Sequence, residues 1–242
     1  VYLYPTEKKA RAGHAAGGTG FILGVPLPNH KGMFCPFVIA ARHTVWDHGA
    51  PVVRVNAADG GVDVFDLDCA EWDAHPEGDD VAIASVDLDT DRHRFSYVPV
   101  SDLATRDHVA KGLIGLGDEV FMAGRFVNLD GELTNVPSVR FGHLSMMPIG
   151  IPVTAKRTQE SFAVEMLSRS GYSGSPVFTY KEPWDTGTGI VSIHGDSYVV
   201  RLLGLNWGFI TDEAEVKEKA VVASMSAATK KVQYVARNTG LN

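Results

Sequence analysis

The chain has 242 residues, of which 45% are hydrophobic and 21% are charged, and its formal net charge is −7. This composition is typical of a folded globular protein and excludes a fibre or a disordered tail. The 22 basic residues are scattered and are outnumbered by 29 acidic ones. A nucleic-acid partner is therefore not expected, because such a protein needs a basic surface to contact phosphates.

The first residues of the chain, Val1–His14, lack the basic-then-apolar order of a secretory signal. No run of about 18 apolar residues, the length that a membrane-spanning helix requires, occurs in the sequence. We therefore expect a soluble protein without a membrane partner. The sequence does not indicate its compartment or its oligomeric state.

Short apolar or β-branched stretches recur along the chain, and Gly, Asp, Asn and Pro residues separate them. There is no internal repeat and no linker long enough to divide the chain into independent modules. Many short strands with turns between them are typical of a β-sandwich or β-barrel. The predicted strands are Gly20–Val25, Phe37–Ala41, Val52–Val55, Val62–Leu67, Val81–Val86, Glu119–Ala123, Pro137–Phe141, Ser161–Met166, Gly174–Phe178, Gly189–Ile193, Leu202–Ile210 and Ala220–Ser224.

A helical pattern is present mainly at the end of the chain. Apolar residues between Ala227 and Val235 lie among basic ones and precede a helix-stop signal that begins at Asn238. We predict one terminal helix there, packed on a β body.

The two cysteines, Cys35 and Cys69, are too few for a disulfide framework and do not have the spacing of a zinc site. Buried thiols are the expected state, with a single bridge between them as the alternative. His43 and His48 are five positions apart, but the Glu and the helix of a zinc protease are missing. We predict no metal site and no organic cofactor.

A segment near the middle of the second half has the residue types of a nucleophile turn. Ser173 lies between Gly171 and Gly174 in the sequence Gly-Tyr-Ser-Gly-Ser-Pro. Glycines permit a tight backbone that exposes the hydroxyl and directs neighbouring N–H groups at one point, as in an oxyanion hole. Taken alone, this segment also fits an ordinary turn before a strand.

Two other polar residues stand at the ends of apolar strands. His43 follows the strand Phe37–Ala41, and an acidic pair, Asp79 and Asp80, precedes the strand Val81–Val86. Histidine can take a proton from a serine hydroxyl near neutral pH, and a carboxylate can hold the imidazole in the required tautomer. Adjacent strand residues point to opposite faces, so only one of the two aspartates can face the histidine.

These segments together resemble the trypsin-like serine peptidases, and the bacterial HtrA-type branch more closely than the digestive enzymes. The blocks A-A-x-H, D-V-A and G-x-S-G-x-P occur in the family's order. Further similar segments are Gly18–Leu23, Gly117–Phe121 and Leu205–Gly208. The resemblance implies an all-β fold of two six-stranded antiparallel β-barrels with a C-terminal α-helix.

The resemblance also implies how the chain is divided. Residues 1–242 would form a single peptidase domain, with one barrel at about residues 15–100 and the other at about 112–225. The terminal helix would span about residues 226–238.

The function implied by the resemblance is that of a serine endopeptidase acting on a protein or peptide substrate through an acyl-enzyme. His43 would be the general base, Asp80 its orienting acid and Ser173 the nucleophile, with Asp79 as the less favoured acid. The backbone N–H groups of Gly171 and Ser173 would form the oxyanion hole. The alternative is a catalytically silent or ligand-activated pseudoprotease that binds peptides.

Substrate-binding residues follow from the same resemblance. Leu167, six positions before Ser173, would form an uncharged base of the primary specificity pocket. Asn206, Trp207 and Gly208 would form a strand to which an extended peptide adds, although simple core packing is the alternative for Trp207.

The sequence departs from the digestive enzymes at the residue before Ser173. Tyr172 stands where those enzymes carry an aspartate that pairs with a freed N-terminus, so activation by the amine of Val1 is not expected. Residues from Thr179 to Tyr198 are predicted to form an added surface loop.

Overall fold

The computed structural model describes residues 1–126, 133–154, 157–167, 171–181, 184–185, 192–193, 199–210 and 239–241. In these residues, strands predominate and form two large curled sheets with a core inside each. The predicted all-β, two-barrel fold is confirmed, with nine and seven described strands in the two large sheets where six per barrel were expected. The predicted strand Ala220–Ser224 and the helix at 226–238 lie outside the described residues.

The first sheet contains nine described strands and comes from the N-terminal half. Neighbouring strands are antiparallel except for the pair β2 and β9. The order along the sheet is β5-β4-β1-β2-β3-β7-β6, with β8 added to β4 and β9 to β2. The strands are β1 (Tyr2–Tyr4), β2 (Gly18–Pro26), β3 (Phe34–Ala40), β4 (Val52–Ala57), β5 (Val62–Phe65), β6 (Asp73–Ala74), β7 (Ala82–Ser85), β8 (His93–Arg94) and β9 (Val98–Pro99).

Strand β1 was not predicted, and it lies before the residue at which the sequence analysis places the first barrel. It pairs with β2 on one side and with β4 on the other, and all three of its side chains are buried. Three residues are too few to show an alternating pattern, so this strand is defined only by its long-range partners.

The second sheet contains seven described strands in the order β16-β13-β10-β11-β12-β18-β17, and β14 and β15 form a separate pair. In β10, Val120 and Met122 point into the core while their neighbours do not, which is the alternation expected of a strand with one buried face. The strands are β10 (Glu119–Arg125), β11 (Pro137–Thr154), β12 (Arg157–Met166), β13 (Pro176–Lys181), β14 (Trp184–Asp185), β15 (Ser192–Ile193), β16 (Val199–Leu205), β17 (Gly208–Ile210) and β18 (Thr239–Leu241).

The predicted surface loop at Thr179–Tyr198 is partly wrong. Strand β13 continues to Lys181, because its residues pair with β16, and the short strands β14 and β15 lie within the same region. Residues 182–183, 186–191 and 194–198 of this region lie outside the described part of the chain.

Helical structure in the described residues is short. The helices are α1 (Glu7–Ala12), α2 (Arg42–Val45) and α3 (Arg106–Ala110), with 3-10 turns at Cys69–Glu71 and Val100–Asp102. Side-chain caps from Thr6 and Thr105 begin α1 and α3. No helix in the described part of the chain has the length and apolar character needed to cross a membrane. Cys35 and Cys69 are unbridged and partly buried.

Arg54 is a fully buried cation that joins the N-terminal barrel to the segment leading into β11. Its Nε donates to Asn135 Oδ1 at 2.8 Å and its Nη1 donates to Ala10 O at 2.9 Å. The guanidinium also lies over the ring of Tyr4, 4.8 Å from its centroid. A buried charge is tolerated only when such partners replace its water shell.

We predict that Arg54→Met lowers the free energy of unfolding by about 2–4 kcal/mol, because it leaves the buried acceptors of Asn135 and Ala10 without this donor. Arg92→Met is the matched control, since Arg92 forms an exposed ion pair with Asp63 and should cost less than about 1 kcal/mol. Urea denaturation measures both. Equal costs for the two variants would contradict a structural role for Arg54.

Candidate active site

The structure places His43 against Asp80. His43 lies in α2, directly after β3, and Asp80 precedes β7, which is paired with β3. The His43 Nδ1 atom is 2.5 Å from Asp80 Oδ2, and the backbone N–H of His43 donates to Asp80 Oδ1 at 2.8 Å. Since an ionised carboxylate only accepts hydrogen bonds, Nδ1 carries the proton and Nε2 is left as the basic nitrogen.

Asp79 points elsewhere. Its Oδ2 atom is 3.7 Å from His75 Nδ1, at a half-exposed position. The two aspartates therefore diverge as adjacent residues at the start of a strand should. Of the two, Asp80 is the one that contacts His43.

Ser173 lies in a tight turn between β12 and β13. Gly171 and Gly174 have φ values of +93° and +83°, which side chains rarely permit. The turn is closed by the Ser175 N–H, which donates to Tyr172 O at 2.9 Å. Ser173 itself is partly exposed.

The Ser173 turn packs directly on the N-terminal barrel. The Thr19 N–H donates to Ser173 O at 2.9 Å, and Thr19 Oγ1 donates to Gly171 O at 3.0 Å. A Cβ on Gly174 would lie 2.1 Å from Thr19 O and 3.0 Å from the backbone N of Ala41. Ala41 is the N-cap of the helix that carries His43, so the turn and the histidine meet at the same junction between the barrels.

Three polar groups of the turn have no hydrogen-bond partner among the described residues. Among the described residues, Ser173 Oγ forms no hydrogen bond, and the N–H groups of Gly171 and Ser173 donate none. These are the hydroxyl and the two amides that the sequence assigns to the nucleophile and the oxyanion hole. The carbonyls of both residues are held by Thr19, which fixes the direction of the backbone.

Tyr172 anchors the other side of the turn. Its ring is buried, its hydroxyl is hydrogen bonded to Ser138 Oγ, and the Arg140 guanidinium lies 4.2 Å from the ring centroid. Arg140 also donates to Leu167 O at 2.5 Å. These contacts hold Tyr172 in the C-terminal barrel at the position where the digestive enzymes carry an aspartate. Sequence reasoning missed Ser138 and Arg140, which have no local motif.

The three residues predicted to bind peptide have different environments. Asn206 uses its backbone on the turn, since its O accepts from Gly174 N at 2.7 Å and its N donates to Ser175 O at 2.8 Å. Trp207 packs against the core between the barrels, and its Nε1 donates to Ser161 Oγ at 3.0 Å. Gly208 begins β17, the terminal strand of the second sheet. Among the described strands, β17 pairs only with β18, so its other side faces no described strand.

Leu167 is exposed and is not enclosed in a pocket that contains Ser173. It borders an open cavity of about 350 Å³ together with Arg140, and the described lining of that cavity includes neither His43 nor Ser173. The assignment of Leu167 to the base of the specificity pocket therefore stays a prediction.

A second histidine, His48, lies beside His43. The rings of His43 and His48 meet edge to face with centroids 5.1 Å apart. In the described part of the chain, no group of three or more His, Cys, Asp or Glu side chains is arranged to hold a metal ion.

Comparisons with known proteins place this chain by its fold. No family model matches the sequence, and no curated protein matches it either. Among solved structures, the apo MamO protease domain from Magnetospirillum magneticum is 16% identical, with 93% of this chain and 82% of that chain covered and a TM-score of 0.52. Its likeness shows the fold of a trypsin-like protease domain.

Two further solved structures are similar at lower scores. An inactive serine-to-alanine mutant of Rv3671c from M. tuberculosis is 15% identical, covering 93% of this chain and 74% of that chain, with a TM-score of 0.44. The HtrA-type protease AlgW with a decapeptide is 17% identical, covering 83% of this chain and 59% of that chain, with a TM-score of 0.43.

We predict that Gly174→Ala destabilises the protein more than Gly60→Ala does. Both glycines have positive φ, which costs an alanine about 1–2 kcal/mol, but a Cβ on Gly60 meets no atom within 4 Å. The clash with Thr19 O should add about 1–3 kcal/mol at Gly174. Thermal or urea unfolding measures the difference. Similar losses in both variants would show that the turn does not pack this closely on β2.

Proposed function

We propose that this protein is a serine endopeptidase with His43, Asp80 and Ser173 as its catalytic triad. The observation that carries the proposal is the contact of His43 Nδ1 with Asp80 Oδ2, made beside a glycine-flanked serine turn that packs on the same helix start. Its trypsin-like protease fold supports the same conclusion. Fold alone does not establish activity, and these side chains provide the specific support for it.

The chemistry follows from the hydrogen bonds of the site. With its Nδ1 proton directed at Asp80, His43 offers Nε2 to take the Ser173 proton as Oγ attacks the peptide carbonyl. Asp80 then stabilises the imidazolium through the same contact. His43 returns the proton to the leaving amine, and water releases the acyl group from Ser173 by the reverse sequence of proton transfers.

The negative charge that develops on the carbonyl oxygen needs fixed donors. The N–H groups of Gly171 and Ser173 serve this purpose, and Thr19 keeps both residues in place by binding their carbonyls. Each such donor contributes a factor of about 10²–10³ in rate. The N-terminal barrel therefore helps to hold the turn in this shape.

Peptide substrate would add as a strand along the edge that begins at Gly208. Backbone hydrogen bonds give affinity in this mode, and side-chain pockets select residues. Asn206 supports the turn instead of pairing with peptide, because its own N–H and C=O are occupied. Leu167 borders a different cavity. We therefore assign no residue to the base of the specificity pocket.

We expect the wild-type protein to cleave a library of unstructured peptides and Ser173→Ala to cleave none, as measured by mass spectrometry. Asp80→Asn should reduce the cleavage rate by about 10⁴-fold, because an amide favours the wrong imidazole tautomer. Asp79→Asn is the matched control and should retain activity, since Asp79 faces His75.

Two outcomes would count against this function. Cleavage that survives Ser173→Ala would exclude Ser173 as the nucleophile. Peptide binding by the wild type without cleavage would instead identify a pseudoprotease.

A further inference from the structure

A glutamine of the C-terminal barrel contacts the acid of the N-terminal barrel. Gln159, on β12, is 5% exposed, and its Oε1 accepts a hydrogen bond from the backbone N–H of Asp80 at 2.9 Å. The two residues are 79 positions apart in the chain. The bond therefore crosses between the barrels at the site itself.

Every other described polar group of Asp80 is directed at the segment around His43. Its two carboxylate oxygens contact the backbone N–H and the Nδ1 of His43, and its carbonyl accepts from Arg42 N at 3.2 Å. The bond from Asp80 N to Gln159 is thus the contact that orients the acid relative to the barrel that carries Ser173. A buried N–H requires such an acceptor, because water cannot replace it.

A second link starts from the same strand. Ser161 lies two residues after Gln159, on the same face of β12, and is 1% exposed. Its Oγ is 3.4 Å from Gln159 O and accepts from Trp207 Nε1 at 3.0 Å. Trp207 immediately precedes β17, the edge strand. One strand therefore contacts the acid through Gln159 and the proposed peptide-binding strand through Ser161.

We infer that Gln159 is a positioning residue for Asp80 and that Ser161 positions Trp207 at the start of the peptide-binding edge. This inference rests on the proposed peptidase function. In the described structure, Gln159 has no hydrogen bond to Ser173 or to the basic nitrogen of His43, so it acts through the placement of the acid. Small displacements of catalytic groups are costly, since about 1 Å can reduce a rate about 10²-fold.

Steady-state kinetics can distinguish the role of Gln159 from that of Ser161. Gln159→Met keeps the length of the side chain but removes the acceptor, so kcat should fall about 10- to 100-fold with KM within about twofold. Ser161→Ala leaves the Gln159 contact intact and should mainly raise KM, by about 3- to 10-fold, through loss of support for Trp207.

Val164→Ala controls for general destabilisation. Val164 is buried in the same strand and packs in the core of the second barrel, away from Asp80. Its melting temperature should fall at least as much as that of Gln159→Met, while kcat stays near the wild-type value. An equal fall of kcat in Val164→Ala and Gln159→Met would overturn the positioning role.

A spectroscopic measurement makes the test independent of turnover. The proton shared by His43 Nδ1 and Asp80 should give a strongly downfield proton NMR signal in the wild type and in Val164→Ala. We expect Gln159→Met to shift or broaden that signal. An unchanged signal would overturn the inference, whereas absence of cleavage by a wild type that shows the signal would count against the proposed function alone.

Discussion

The packing of the Ser173 turn on Thr19 is the contact on which the candidate site depends. His43 and Asp80 belong to one barrel and Ser173 to the other, so no local segment can bring all three together. Thr19 holds the carbonyls of Gly171 and Ser173, and Gly174 lies so close to β2 that no side chain fits. The barrels therefore meet at the serine, and the histidine helix begins at the same place.

The turn is also fixed from the side of the C-terminal barrel. Asn206 binds it through both backbone groups, and Tyr172 is buried under Arg140. Tyr172 does not need a charged N-terminal amine to hold it in place. Its ring is desolvated, and its hydroxyl is hydrogen bonded to Ser138. Contacts with both barrels therefore hold the turn in place. The N–H groups of Gly171 and Ser173 donate no hydrogen bond within the described residues.

Local patterns in the sequence predict a β-rich fold and a tight turn at Ser173, whereas the two barrels and the roles of the site residues follow from the family resemblance. Strands such as β10 alternate between core and surface, and the glycines around Ser173 have no other common use than a tight turn. Strand β1, Gln159 and Arg140 could not be predicted in the same way, since each is defined by partners far along the chain. The assignment of Asn206 to peptide binding followed a motif, whereas its hydrogen bonds depend on how the turn packs.

Reaction with a tagged fluorophosphonate, read by intact mass, tests the assembled site most directly, because this reagent bonds only to a serine activated by a neighbouring base. We predict a single label on the wild-type protein, mapped to Ser173 and absent from Ser173→Ala. A folded wild-type protein that takes up no label would contradict the account. So would a label that persists in the Ser173→Ala variant.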